Sequence, residues 1–160
     1  MSLPPIAALP TLPPAAVTAA LDLLFEPTPD LHALALPLLA DPFPSYPDLI
    51  ATIRDRLHAL VRAANYPAPN PDKKRALHGI LGSHPRLGEP REGVLSEQSK
   101  REQRNLKAGG AEAEAEGREL ARLNGEYEGR FPGLRGVDAM CDIALDRARK
   151  ILAEDVKGTA

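Results

Sequence analysis

Four polar side chains between positions 84 and 103 have the types and spacing that acid–base chemistry needs. His84 lies in a glycine-bounded turn, and histidine is the side chain best suited to proton transfer near neutral pH. Ser99, Glu102 and Gln103 follow at i, i+3 and i+4, so they project from one face of a helix. An imidazole facing a hydroxyl, a carboxylate and an amide can move protons and bind a polar, planar molecule. We therefore predict a small-molecule site formed by these two groups.

Each group also has a purely structural interpretation. Histidine in a surface loop is common, and Ser99-x-x-Glu102 is the pattern of a capping box, which satisfies backbone N–H groups at a helix start. Two features favour function. Pro85 restricts His84 to extended backbone, which fixes the direction of the imidazole. A capping box also leaves Gln103 unexplained.

The helices that must position these residues are predicted from apolar periodicity and from proline and capping signals. The first begins at Pro13-Pro14 and runs to Leu24, and the second is capped by Asp30 and broken at Pro37. The next two begin at Ser45 and at Asn70-Pro71, and the fourth is closed by a Gly82 C-cap.

Three further helices complete the predicted order. One is capped by Ser96 or Ser99 and ends at Gly109-Gly110, one spans 112–128, and the last is capped by Asp138 with Leu152 among its inward residues. No period-2 run of β-branched residues occurs in the sequence. We predict an all-α multi-helix bundle forming a single domain over residues 1–160.

Composition excludes several other classes of function. The net charge of −2 gives no attraction to nucleic acid, and the basic residues Lys100, Arg101, Arg104 and Lys107 are offset by nearby acids. His32, His58 and His78 show no metal-ligand spacing, so no metal site is predicted.

The cellular setting is predicted from cysteine content and terminal sequences. The single cysteine, Cys141, excludes an internal disulfide and is predicted to be a buried small hydrophobe. No apolar run approaches the ~20 residues of a membrane span, and the N-terminus lacks the pattern of a signal peptide. We expect an intracellular protein, cytoplasmic or peroxisomal, although the last three residues are not a peroxisomal address.

Several motifs together resemble the family of 2-oxo-4-hydroxy-4-carboxy-5-ureidoimidazoline (OHCU) decarboxylases. The resembling segments are His84-Pro85-Arg86-Leu87-Gly88, Ser99-x-x-Glu102-Gln103, Leu123-Asn124-x-x-Tyr127-x-x-Arg130-Phe131, Ile143-Ala144-Leu145-Asp146-Arg147 and, upstream, Asp41-Pro42-Phe43, which has Asp in place of the family's Arg. Together they span Pro42 to Arg147, most of the chain. The first two, at this separation, are fairly specific and the others are supporting.

The resemblance implies an all-helical, homodimeric, cofactor-independent enzyme that forms (S)-allantoin in urate degradation. It implies that His84 is the proton donor, and that Ser99, Glu102 and Gln103 hold the ureido-imidazoline substrate with Pro85 beside its ring. Glu102 is the second catalytic candidate, because its carboxylate can accept hydrogen bonds from ureido or ring N–H groups. Arg135 is a further substrate-binding candidate, and the alternative that Arg130 contacts a substrate carboxylate stays open.

The sequence departs from the family pattern after Arg135. Family members continue into an extended apolar segment and another helix, whereas here Gly136-Val137-Asp138 leads directly into the last predicted helix. Either part of the substrate wall is lost, or residues near 135–138 are missing from the sequence. The alternative to a decarboxylase is therefore a non-catalytic helical relative that binds a ureide or a protein, and a purely structural bundle is a third possibility.

Overall fold

The structure, a computed structural model, describes residues 2–83 and 133–158, and every regular element in these two stretches is a helix. In chain order they are a 3₁₀ helix at Ile6–Thr11, α1 at Pro14–Leu24, α2 at Pro29–Ala35, a second 3₁₀ helix at Leu36–Ala40, α3 at Tyr46–Asn65, α4 at Pro71–Ser83 and α5 at Leu134–Gly158. The predicted all-α class is confirmed. The two helices predicted between positions 96 and 128 lie outside the described residues. None of the described helices is long and apolar enough to cross a membrane.

Proline and threonine set the boundaries of α1 and α2. α1 begins at Pro14 as predicted, because proline is tolerated in the first helical turn. The N-cap of α2 is Thr28, whose hydroxyl accepts a hydrogen bond from the Leu31 N–H at 3.0 Å. The prediction that Asp30 caps this helix is wrong, since Asp30 lies inside its first turn. A carboxylate there interacts favourably with the helix dipole. The predicted break at Pro37 is confirmed by the change to a 3₁₀ helix.

α3 is the central helix of the core. Its N-cap is Ser45, as predicted, and the Ser45 side chain accepts a hydrogen bond from the Asp48 N–H at 3.3 Å. The predicted apolar stripe faces inward: Leu49, Ile50, Ile53, Leu57 and Val61 are buried, and Leu60 is partly buried. Burial of each such side chain contributes about 1.5–3 kcal/mol. The helix packs mainly against α5 and α4.

α4 starts where the sequence predicts but continues past its predicted end. The Asn70 side chain accepts a hydrogen bond from the Lys73 N–H at 3.1 Å, as an N-cap does. Gly82 is a helical residue within α4, which runs to Ser83, so the prediction of a Gly82 C-cap is wrong. A glycine C-cap needs positive φ, and among the described glycines only Gly133 has it.

α5 begins four residues before the predicted cap. Gly133, with φ of 90°, leads into a helix that starts at Leu134, and the Val137 N–H donates to the Gly133 carbonyl at 3.1 Å. Arg135 and the residues after it are therefore continuous helix. The prediction of an Asp138 cap is wrong, because Asp138 lies inside α5 and its carboxylate faces α3.

The buried face of α5 follows positions 137, 140, 141, 144, 148 and 151. Cys141 is buried, as predicted. Leu152 was predicted to face inward but is 39% exposed, since it falls beside this face. Arg147, three residues after Ala144, lies on the face instead and is only 1% exposed.

The N-terminal residues belong to the core. Leu3 and Leu9 are buried, and the Tyr46 hydroxyl donates a hydrogen bond to the Pro4 carbonyl at 2.7 Å. Burial raises the pKa of Tyr46 to about 12, because a phenolate would lose its hydration there. This contact fastens the start of the chain to the first turn of α3.

Candidate functional site

Five predicted site residues, His84, Pro85, Ser99, Glu102 and Gln103, lie in the 84–132 stretch, outside the described residues. The sixth, Arg135, is the second residue of α5 and is partly buried. The predicted proximity of these six residues therefore stays a prediction. What the structure defines is where the chain enters and leaves the 84–132 stretch.

Both ends of that stretch lie at the end of α4. α4 ends at Ser83, immediately before His84 in the chain. The chain returns at Gly133, where an added Cβ would lie 3.8 Å from Leu81 Cδ1 in the last turn of α4. Arg135 follows two residues later. The end of α4 and the start of α5 thus bring the backbone on both sides of the stretch to one end of the core.

Gly133 lies close to side chains of both α3 and α4. Its φ of 90° lies in the left-handed region, which residues that carry a side chain rarely adopt. A Cβ there would also come within 3.2 Å of Leu77 Cδ2 and 3.4 Å of Val61 Cγ2. The conformation therefore favours glycine, and a side chain at this position would also fit tightly against α3 and α4.

Two polar pairs align α3 and α5, and we call these four residues the α3–α5 ladder. Arg54 Nη2 donates to Asp142 Oδ1 at 2.5 Å, and His58 Nε2 lies 2.9 Å from Asp138 Oδ1. The two bases are four residues apart on α3, and the two acids are four residues apart on α5. Since the numbers rise on one helix and fall on the other, the helices run antiparallel.

The ladder fixes register more than it adds stability. Its side chains are 25–69% exposed, and pairs of this kind contribute about 0–1 kcal/mol each. The directional hydrogen bonds nonetheless select one alignment. Val61, which follows His58 by three residues, meets Gly133 in the same register. The first turn of α5 is thereby held at a defined position on α3.

The Cys141 thiol, which lies beside the α3–α5 ladder, is expected to be unreactive. Burial raises the pKa of Cys141 to about 11, although the nearby Arg54 guanidinium acts in the opposite direction. Partial burial lowers the pKa of Arg54, but its contacts with Cys141 and Asp142 outweigh this and raise it. A protonated thiol is a poor nucleophile and metal ligand. Within residues 2–83 and 133–158, no group of three His, Cys, Asp or Glu side chains is suited to hold a metal ion.

The first turn of α5 carries one base. It contains Arg135 and no acidic residue, whereas helix starts usually favour Asp or Glu. Asp138 follows Arg135 by three residues. An arginine side chain can bind a carboxylate through paired hydrogen bonds, which is the role predicted for Arg135.

The ladder is not predicted from the sequence, where His58 is only one of three histidines on helices and Asp138 is a predicted cap. The signal was present, because bases at positions 54 and 58 and acids at 138 and 142 have matching four-residue spacings on two amphipathic helices. Recognising it required knowing that these helices pack against each other.

Comparison with known families agrees with the fold and with the motifs. The model of the OHCU decarboxylase family matches residues 10–137, and the chain belongs to that family. The match includes the whole 84–132 stretch and ends at Val137. The family implies a decarboxylase that acts on a small ureido compound. No curated protein and no solved structure matches the chain.

Proposed function

We propose that this protein decarboxylates 2-oxo-4-hydroxy-4-carboxy-5-ureidoimidazoline to (S)-allantoin in purine degradation, with no cofactor. The observation that carries the proposal is the family match over residues 10–137, which includes His84, Glu102 and Gln103. The presence of Arg135 in the first turn of α5 supports it, since the substrate is a carboxylate. In this proposal the chain is a single domain over residues 1–160 and acts as a homodimer.

The chemistry assigns a role to each predicted site residue in the 84–132 stretch. Loss of CO₂ breaks the bond to the carboxyl carbon and leaves an electron pair that must take up a proton. His84 as imidazolium supplies that proton from one face, which gives one enantiomer. Glu102 accepts hydrogen bonds from ureido or ring N–H groups, and Gln103 both donates and accepts. Ser99 and Pro85 complete the binding of the substrate.

Arg135 binds the substrate carboxylate in this proposal. A guanidinium can hold a carboxylate through two parallel hydrogen bonds, and the helix dipole adds to the attraction. Its place two residues after Gly133 supports the assignment, because the backbone there lies beside Leu81 at the end of α4. That end of α4 leads directly to the proposed proton donor.

The test measures the formation of allantoin from freshly generated substrate, with circular dichroism to monitor the enantiomer. The His84→Ala variant should lower kcat by about 10²-fold or more, because a positioned general acid is worth 10²–10⁴-fold. His78→Ala is the matched control, since His78 is exposed on α4 six residues earlier, and it should leave kcat unchanged. Allantoin formed no faster and with no more enantiomeric excess than without protein would refute the proposal.

Arg135 has its own pair of variants. Arg135→Gln should raise KM about tenfold or more, since a hydrogen bond to a charged group is worth about 1.5–3 kcal/mol. Arg149→Gln removes an exposed arginine from the same helix and should change neither constant. An inactive but folded wild-type protein would favour the non-catalytic alternative. The departure from the family pattern after Arg135 is the feature that motivates this alternative.

A further inference from the structure

We propose that His58 and Asp138 are positioning residues for the decarboxylation site. Neither is assigned to contact the substrate. They act through Arg135, because their pairing sets where the first turn of α5 presents that guanidinium. This inference rests on the proposed function and on the role that it gives to Arg135.

The geometry begins with the spacing on α5. Asp138 follows Arg135 by three residues, so the two side chains are neighbours on one face of the helix. The Asp138 carboxylate is held from α3 by His58, whose Nε2 lies 2.9 Å from Oδ1, and Arg54 Nε lies 3.9 Å away, beyond hydrogen-bond distance. Of the two pairs in the α3–α5 ladder, the His58–Asp138 pair lies nearer to Arg135. Asp142, in the other pair, is one helical turn farther along α5.

Register at this point matters more for catalysis than for stability. The apolar contacts hold α5 against α3, and the hydrogen bond between a ring nitrogen and a carboxylate adds a directional constraint at this point. A displacement of about 1 Å in a substrate-positioning group can cost up to ~10²-fold in rate. Loss of this partly exposed pair should therefore alter substrate binding while the protein stays folded.

A second His–Asp pair in the same chain offers a matched control. His32 Nε2 lies 2.6 Å from Asp22 Oδ1, and the side chains are 21% and 34% exposed. This pair joins α1 to α2, neither of which carries a predicted site residue. Its burial is comparable to that of the pair formed by His58, which is 25% exposed. Breaking it controls for the general effect of losing such a pair.

The experiment compares His58→Asn, His58→Gln and His32→Asn with the wild type in steady-state kinetics and urea unfolding. Asparagine at position 58 is too short to reach Asp138, so KM should rise about tenfold with kcat changed by less than about threefold. Glutamine places an amide nitrogen near the position of Nε2 and should restore KM to within about threefold of wild type. His32→Asn should leave KM within about twofold.

The outcomes separate this inference from the proposed function. A wild-type protein with no activity overturns both. If the wild type is active and His58→Asn has the same KM as His32→Asn, only the positioning role is overturned. A His58→Gln variant that is as impaired as His58→Asn also overturns it, because the donor to Asp138 would then not be what matters. A raised KM in His58→Asn that glutamine rescues supports it.

Discussion

Arg147 and Glu26 form an ion pair in the interior of the protein, with Arg147 Nη2 3.1 Å from Glu26 Oε1. Their side chains are 1% and 3% exposed, and Arg147 Nη1 also donates to the Leu24 carbonyl at 3.3 Å. The pair joins the end of α1 to the middle of α5, two segments more than 100 positions apart in the chain. The Arg147 guanidinium thereby supplies a hydrogen-bond donor to a backbone carbonyl at the end of α1, and its charge lies inside the core.

Removal of one partner of this pair should be costly. We expect Glu26→Ala to lower the free energy of unfolding by about 3–5 kcal/mol, because a buried guanidinium would lose its carboxylate. Urea unfolding of both proteins measures the difference. Asp146→Ala is the control, since Asp146 pairs with Lys150 on the exposed side of α5, and it should cost less than about 0.5 kcal/mol. Equal losses in the two variants would contradict the expectation.

Gly133 and Gly82 should respond in opposite directions to alanine. Gly133→Ala should destabilise the protein by about 1–3 kcal/mol, because it forces a side chain into positive φ and against Leu77. Gly82→Ala should be neutral or stabilising by up to about 1 kcal/mol, because a Cβ there meets nothing within 4 Å and favours the helix. Chemical denaturation measures both. A stable Gly133→Ala protein would show that the start of α5 tolerates another conformation.

Tyr46 should make stability fall at high pH. The unfolded pKa is near 10.0 and the folded pKa is about 12, so the folded state keeps the phenolic proton longer. The stabilisation is complete below pH 10 and is lost as the pH rises through 12, with a slope of up to about 1.4 kcal/mol per pH unit. Urea unfolding of wild type and Tyr46→Phe between pH 8 and 11.5 isolates this effect.

The same substitution also tests the contact with Pro4. At neutral pH, Tyr46→Phe should cost about 1 kcal/mol, because the Pro4 carbonyl loses a hydrogen-bond donor. The stability of the variant should then depend less steeply on pH than that of the wild type. Parallel curves for the two proteins above pH 10 would contradict the assignment of the titration to this tyrosine.

Cys141 should be unreactive in the folded protein. With a pKa of about 11 and a buried thiol, it should react with a disulfide reagent at pH 8 only as fast as the protein unfolds. Because it is the only cysteine in the chain, the absorbance change reports on this residue alone. Denaturant should restore the rate of an ordinary thiol. Rapid reaction without denaturant would show that α3 and α5 separate readily at this point.

The elements predicted correctly were those whose signals are local. Ser45, Asp48 and the apolar stripe of α3 identify that helix within 20 consecutive residues, and neighbouring prolines mark its limits. Residues with a distant partner were misassigned. Asp138 has the sequence context of a cap, and only its contact with His58 on α3 shows its actual place.

The interior contained one feature that composition could not predict. Arginine is almost never fully buried unless it is paired, and the partner of Arg147 is Glu26, 121 positions away. Leu152, two turns beyond Ala144, was the better inward candidate on hydrophobicity alone. The actual face follows the packing of α5 against α3 and α1, which the pattern of one helix does not determine.

The buried positions of Leu3 and Leu9 bear on how this protein can be shortened. The family match begins at residue 10 and ends at 137, so trimming to those limits would delete both leucines, the Pro4 carbonyl and most of α5. What remained would expose the surfaces that these segments cover and would be prone to aggregate. The limits of the family match are therefore not the limits of the smallest piece able to fold alone, which extends past them on both sides.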